Sequence, residues 1–390
     1  MTVLGHRRAA ALPDGVLVSL PEDANPDAFG VRLGAQTLES GESLPDVTVA
    51  VQTWGRLNAD ASNAVLIEHA LTGDAHVVGP SGPGQPTAGW WPGLIGPGCA
   101  IDTARYFVVA TNVLGGCRGT TGPGSLAPDG RPWGSRFPNI SVRDQVAVEA
   151  QVADLLGITS WRLVVGGSMG GMRVAEWVAS YPTRVRSAAV VASTGAASAD
   201  QIAWGQAQIL AISHDPDYRG GDYYDQGVVP AHGLGLARRI AHTTYRSASE
   251  LEDRFGRDGQ DGENPLRGGR FGVESYLDHH AAKLVGRFDA GTYVTLTRSM
   301  STHDIGRGRG GLAAALRPYT GDLHVIAVDS DRLFPVELSE QLVRARGSGS
   351  VQLIHSDYGH DGFLIEIDQV AAAVDRALSS GTAREARHVR

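Results

Sequence analysis

Cysteine is scarce in this chain of 390 residues: only Cys99 and Cys117 occur. Two cysteines so spaced make neither a metal-ligand motif nor a disulfide framework, which removes zinc modules and small stapled domains. No block of lysine or arginine is present, and the formal net charge is -8. An acidic chain without a basic stripe binds nucleic acid and anionic membranes poorly, so neither is expected as a partner. No run of 18 apolar residues exists, and the opening "MTVLGHRRAAALPDG" lacks the apolar stretch of a signal peptide. These absences make a cytoplasmic location the expectation. The 13 histidines are scattered, and the His279-His280 pair has no i, i+4 partner of ligand type, so no metal site is expected. No internal repeat is visible.

What is present is an apolar fraction of 42%, ample for a large core. Residues 1–45 are rich in Pro, Asp and Gly and show no clear element. "VTVAVQTWG" (47–55) alternates like a strand, while "NAVLIEHA" (63–70) and "YFVVATNVLGG" (106–116) are short apolar runs typical of buried strands. "VRDQVAVEAQVADLLGI" (142–158) has helical spacing, and "WRLVVGG", "MGGMRVAEWVASY" and "VRSAAVVAS" follow as strand, helix and strand. This alternation predicts an α/β fold, a mostly parallel sheet with helices on both faces. The rhythm stops near Thr194. Apolar residues then recur at helical intervals, as in "IAWGQAQILAI" (202–212) and "LGLARRIAHTTY" (234–245), and "RFGRDGQDGENPLRGGRFG" (254–272) reads as a mobile loop. Strand pattern resumes at "LHVIAV" (323–328), followed by a helix over 337–346, "VQLIHS" (351–356) and a last helix over 363–379. The core is therefore assigned to 1–194 and 321–390, with a helical insertion, or lid, over 195–320.

The stretch "LVVGGSMGGMRVAEW" (163–177) passes from strand to helix through glycines with one serine among them. Gly166, Ser168 and Gly170 make the pattern Gly-x-Ser-x-Gly. A sharp strand-to-helix turn leaves no room for side chains two residues either side of its apex, and glycine supplies that room. The apex hydroxyl then stands at a helix N-terminus, where free N–H groups favour a developing anion. A phosphate-binding turn would use similar glycines; the strand before and helix after favour a nucleophile. Such a serine needs a histidine base and an orienting acid, in the chain order Ser, Asp/Glu, His. "DSDRLFP" after the strand at 323–328 offers Asp329 and Asp331, and Asp331, further past the strand end, is preferred. "DYGHDG" offers His360, whereas His355 is expected inside its strand as a packing residue. The amides of Met169, after the serine, and of Leu71, in "HALTG" (69–73), are the expected oxyanion-hole donors.

"SNAVLIEHALTGD", "GWW", "LIGPG", "AIDTARYFVVATNVLGGCRGTTGP", "GGSMGGM", "LARRIAHTTYRS", "VESYLDHHAAKLVGRFDAGTYVTLTRSM", "DSDRLFP" and "GHDGF" occur in this order. Together they resemble the homoserine O-acetyltransferases, acyltransferases of the α/β-hydrolase fold that serve methionine biosynthesis. The resemblance spans residues 45–380. It implies ping-pong transfer of acetyl from acetyl-CoA, through an acyl-Ser168, to the hydroxyl of L-homoserine, with Ser168, Asp331 and His360 as triad. It also implies that Arg238 binds the acceptor and Asp361 contacts its amine, that no cofactor is bound beyond acetyl-CoA as co-substrate, and that two chains join through the lid. Arg238 and Arg239 are adjacent, so on a helix they face different directions, and one of the two reads as a solvated surface residue. Two departures stand out: Glu68 occupies a position usually held by cysteine, and "TRSMSTHD" (297–304) replaces a commoner Ala-Met-Asp pattern. If Glu68 is still in its strand, it points to the opposite face from its neighbours and is expected to be partly solvated. Relatives of this kind include succinyl-CoA-dependent and serine-acylating enzymes, and esterases share the triad, so these are the alternative readings. Arg298, Arg307 and Arg309 read either as a solvated face or as contacts for CoA phosphates.

Overall fold

The structure is a computed structural model that describes residues 15–21 and 27–388, with side chains as far as Ser380. In chain order the strands are β1 (Leu17–Val18), β2 (Phe29–Thr37), β3 (Ser43–Trp54), β4 (Ala64–Glu68), β5 (Ile95–Gly96), β6 (Ile101–Asp102), β7 (Phe107–Thr111), β8 (Leu163–Gly167), β9 (Ser187–Val191), β10 (Asp322–Val328) and β11 (Val351–Ile354). β5 and β6 pair only with each other; the other nine form one sheet in the order β1-β2-β3-β7-β4-β8-β9-β10-β11. From β7 to β11 every neighbouring pair is parallel, whereas β1, β2 and β3 extend one edge antiparallel. Every residue of β4, β7, β8 and β9 is buried. That is why these segments read as unbroken apolar runs: both of their faces are covered.

The helices are α1 (Val142–Leu155), α2 (Met169–Ser180), α3 (Ala199–Ser213), α4 (Ala231–Tyr245), α5 (Ala248–Phe255), α6 (Gly272–Val285), α7 (Ala290–Ser301), α8 (Leu312–Leu316), α9 (Val336–Arg346), α10 (Gly362–Ile365) and α11 (Ile367–His388). Ser141 starts α1 with a capping box closed by Asp144, which satisfies donors the first turn would otherwise leave bare. α1, α2 and α9 cover one face of the sheet through Val146, Val174, Trp177 and Leu342. α11 covers the other through Val370, Val374 and Leu378, packed with Trp91 and Leu94. Each such buried side chain contributes about 1.5–3 kcal/mol. Among the described residues no helix is long and apolar enough to cross a membrane.

Helices α3 to α7 lie between β9 and β10, and α3, α4, α6 and α7 share an apolar cluster of Ile212, Leu234, Leu284, Tyr293 and Leu296. Leu71, Val113 and Met169 of the core belong to the same cluster, so this lid is packed directly on the serine turn and on the loop after β4. Its neck is closed where Ala196 bridges Asp304 and the Ile305 amide donates to the Gly195 carbonyl at 2.9 Å. Ile305, Ala315, Leu316 and Tyr319 join the core cluster beside α9. A five-residue helix has the same apolar spacing on a lid or on a core, and only packing tells them apart. The segment expected to be a mobile loop, 254–272, forms two short turns pinned by a Gly259–Phe271 bridge and an Arg270–Glu263 ion pair of 2.8 Å.

Candidate active site

Ser168 stands between the end of β8 and the start of α2 with φ 58° and ψ -124°, a left-handed conformation that non-glycine residues rarely adopt. The flanking glycines are required by close approach. A Cβ on Gly170 would lie 2.1 Å from the Glu68 carbonyl oxygen, and one on Gly166 would lie 2.6 Å from the Glu68 Cβ. β4 therefore runs against the turn with no space between. Ser168 is 6% exposed, and it lies where the carboxyl ends of parallel strands gather, the usual ligand side of such sheets.

The loops after β10 and β11 bring Asp331 and His360 together. His360 Nδ1 is 2.6 Å from Asp331 Oδ2, and both residues are buried. Asp331 Oδ1 accepts from the Leu333 and Phe334 amides, each at 2.8 Å, so one oxygen holds the loop and the other the imidazole. Burial alone would push the His360 pKa down; the charge and hydrogen bond of Asp331 outweigh it, and the pKa is raised. The rings of Phe334, Phe363 and Tyr245 surround the imidazole, with centroids 5.0, 5.4 and 5.8 Å away. Asp329 points elsewhere, to His355 Nδ1 at 2.8 Å and the Ser356 amide at 3.1 Å. The expectation for His355 is corrected: β11 stops at Ile354, and the His355 side chain is 74% exposed.

Leu71 follows β4 in the loop over 69–73 and lines a cavity of about 50 Å³ together with Ser168. Its amide has no backbone acceptor among the described residues. The Met169 amide opens α2, where first-turn donors have no intrahelical partner. The loop is held from three sides. Arg173 Nη2 donates to the His69 carbonyl at 2.6 Å, Arg287 Nη1 to the Thr72 carbonyl at 2.7 Å, and the Val113 amide to His69 Nε2 at 3.1 Å. Since Nε2 accepts, His69 carries its proton on Nδ1, 2.8 Å from the Ala70 carbonyl. Glu68 departs from its expectation: it is fully buried, its Oε2 2.7 Å from Arg173 Nη1.

Arg238 and Asp361 face a second cavity, of about 310 Å³, across the Thr72–Asp74 turn. Arg238 Nε and Nη1 are buried with no hydrogen-bond partner among the described residues, and the guanidinium lies 5.4 Å from the centroid of the Tyr245 ring. Arg239 instead pairs with Asp278 at 2.6 Å on the outer side. Asp361 is 20% exposed and 3.4 Å from Arg246 Nη1. Burial raises its pKa against the lowering effects of His360, Arg238 and Arg246. Sequence reasoning passed over Tyr245 and Arg246. Tyr245 was findable, because it lies seven residues after Arg238 on the same face of α4; Arg246 becomes visible only when α4 meets the His360 loop.

Of the three arginines considered for phosphate, Arg307 pairs with Glu39 at 2.9 Å and Arg309 with Glu176 at 2.7 Å. These carboxylates belong to the core surface, so both arginines staple the segment after the lid to the sheet layer. Arg298 is exposed on α7, while its neighbours Thr297, Met300 and Ser301 line the Ser168 cavity. Cys117 offers no rival nucleophile: burial, then the charge of Asp289, pushes its thiol up to about 12.

A serine on a strand–helix elbow and an aspartate-oriented histidine, at the carboxyl ends of a parallel sheet, define a protein of the α/β-hydrolase fold. The family model described as alpha/beta hydrolase fold matches residues 63–366. A homoserine O-acetyltransferase from Thermobifida fusca (strain YX) is 59% identical, over 88% of this chain and 91% of the relative. One from Mycolicibacterium smegmatis (strain ATCC 700084 / mc(2)155) is 51% identical, over 97% and 99%. The chain belongs to the homoserine O-acetyltransferase family. Among solved structures, homoserine O-acetyltransferase from Bacillus anthracis superposes with TM-score 0.83 at 27% identity, covering 90% of this chain and 97% of that one. Esterase E22 superposes with TM-score 0.82 at 26% identity, covering 90% and 99%.

Proposed function

We propose that the protein transfers the acetyl group of acetyl-CoA to the hydroxyl of L-homoserine, a step of methionine biosynthesis, through an acetyl-Ser168 intermediate. The observation that carries this reading is the unpartnered, buried guanidinium edge of Arg238 facing the same cavity as Asp361. An α-amino acid presents a carboxylate and an ammonium on one carbon, and one cation with one anion beside the base complements that pair. An esterase needs neither.

In the first half-reaction His360 Nε2 takes the Ser168 proton as Oγ attacks the thioester carbonyl. The Leu71 and Met169 amides hold the oxyanion. The carbon–sulfur bond then breaks, and His360 returns the proton to the departing thiolate. In the second half-reaction the homoserine hydroxyl gives its proton to His360 while its oxygen attacks the acetyl carbonyl. Collapse restores the Ser168 hydroxyl and releases the O-acetyl product. Leu71, Met172, Trp204 and Phe334 around Ser168 exclude water from the acyl-enzyme. No charged side chain lines this small cavity, so a succinyl carboxylate would be buried without a cation, which favours acetyl.

Ping-pong order lets donor and acceptor use the larger cavity in turn. Lys283 and Arg287 on its lining offer cations to the CoA phosphates. Lys283→Glu is expected to raise the KM for acetyl-CoA by roughly 3- to 10-fold and to leave that for a phosphate-free acetyl thioester unchanged, as initial rates would show. In this reading the partners are the two small substrates and a second copy of the chain, seated on the exposed Ile202, Leu210 and Leu236 of the lid, and the reaction belongs in the cytoplasm.

The reading is tested by separating the half-reactions with quenched mass spectrometry. Arg238→Ala and Arg238→Lys should still form the acetyl-enzyme but lose transfer to homoserine by roughly 10²-fold, about 3 kcal/mol for a charge-assisted pair in a dry site. Variants that fail equally at both steps would assign Arg238 to the donor site or the fold. Wild-type protein that releases acetate equally fast without homoserine would be a hydrolase.

A further inference from the structure

Beneath the elbow two carboxyl groups share one cation. Arg173 is fully buried, with Nη1 2.7 Å from Glu68 Oε2 and 2.7 Å from Glu149 Oε1. Its Nη2 reaches the His69 carbonyl at 2.6 Å. Glu149 is well supplied: it accepts from Arg173 Nη1, from Trp177 Nε1 at 3.0 Å and from Thr111 Oγ1 at 3.2 Å. Glu68 is not. Among the described residues neither of its oxygens meets hydrogen-bond geometry with a donor, although Arg173 Nη1 lies 2.7 Å away and the Trp177 side chain is near enough to pull its pKa down. The two carboxyl groups lie within hydrogen-bond reach of each other.

A bare carboxylate on Glu68 would be dry and beside a second carboxylate, with a single guanidinium shared between the two. A carboxylic acid there donates to Glu149 and is satisfied. Resting on the proposed acyl transfer, we infer that Glu68 is a positioning residue: as a neutral acid hydrogen-bonded to Glu149 it aims Arg173 at the His69 carbonyl, and so fixes the Leu71 amide for the oxyanion. Burial, and then the neighbouring Glu149 charge, raise the Glu68 pKa well above the usual carboxyl range against the opposing pull of Arg173. The chain of contacts is short. Glu68 ends β4 in register with Gly166 of the elbow strand, and His69, Ala70 and Leu71 follow it directly. Arg173 lies on α2, five residues after Ser168. The cluster thus ties nucleophile and oxyanion donor into one rigid unit, and a shift of a few tenths of an ångström in it moves one against the other.

The test uses the whole protein and methylboronic acid, which adds to Ser168 and presents a tetrahedral oxygen to the two amides. Glu68→Ala is expected to weaken boronate inhibition and kcat by the same factor, about 10- to 100-fold, with the KM for homoserine unchanged. Glu68→Gln, whose amide still donates to Glu149, is expected to bring both back to within about threefold of wild type. Where Glu68→Ala does not fold, Glu68→Met, apolar and of similar volume, replaces it. Equal losses in the Gln and Ala variants would overturn the donor role of Glu68. Boronate affinity retained in Glu68→Ala would overturn its positioning role. A wild-type protein that the boronate leaves uninhibited would overturn the acetyl-Ser168 reading itself, and this inference with it.

Discussion

Asp331→Asn is expected to lower kcat by about 10⁴, because an amide in that place favours the wrong imidazole tautomer. Asp329→Asn should leave kcat near the wild-type value, since Asp329 serves the exposed His355. The pH profile gives a second reading of the same residue. His360 must be neutral to take a proton, so activity rises with pH through its pKa. Burial lowers that pKa and Asp331 raises it further than burial lowers it. The acid limb of kcat/KM for homoserine should therefore lie above 6.5, the ordinary value for histidine. In Asp331→Asn the raising charge is gone and burial remains, so the limb of the residual activity should move to lower pH. A large loss in Asp329→Asn, or an acid limb that does not move, would reassign the acid.

Ser168→Ala should abolish acetyl transfer and leave the fold intact. Alanine is no worse than serine at φ 58°, and the change removes one hydroxyl from a nearly closed cavity. Wild-type protein incubated with acetyl-CoA alone should gain one acetyl group on the peptide carrying Ser168, and the variant should gain none. Intact-mass and peptide spectrometry read both results. Acetylation elsewhere, or sequential rather than ping-pong kinetics, would remove the covalent intermediate.

The elbow was legible because its cause is local: a turn this sharp demands glycines at fixed offsets, and Gly166 and Gly170 stand there. Asp331 and His360 were legible because a parallel sheet delivers its functional side chains at strand ends, and the strands themselves were plain apolar runs. Arg238 and Asp361 came from resemblance, and no periodicity would have chosen them. What stayed hidden depends on contacts between distant segments. The burial of Glu68 rests on Arg173 and Glu149, more than eighty residues away for the latter, so its place in a strand said nothing of its partner. Arg307 and Arg309 were open to reading as a solvated face or as phosphate contacts, because Glu39 and Glu176, which hold them, are far away in the chain. His355 was misplaced by a single residue at a strand end, the least determined part of any pattern. The packing of α8 in the core cluster was not legible, because α8 is helical whichever body it packs against.

The division of labour between core and lid has a consequence for the fate of the acyl group. Ser168, Asp331, His360 and Asp361 are carried by loops of the sheet domain, whereas Arg238 and Tyr245 ride on α4 of the lid. In the proposed reaction, a lid that swung away would take Arg238 with it and leave the acyl-serine on the core open to solvent. Water would then compete with the acceptor for the acetyl group, so the same core would hydrolyse where the closed one synthesises.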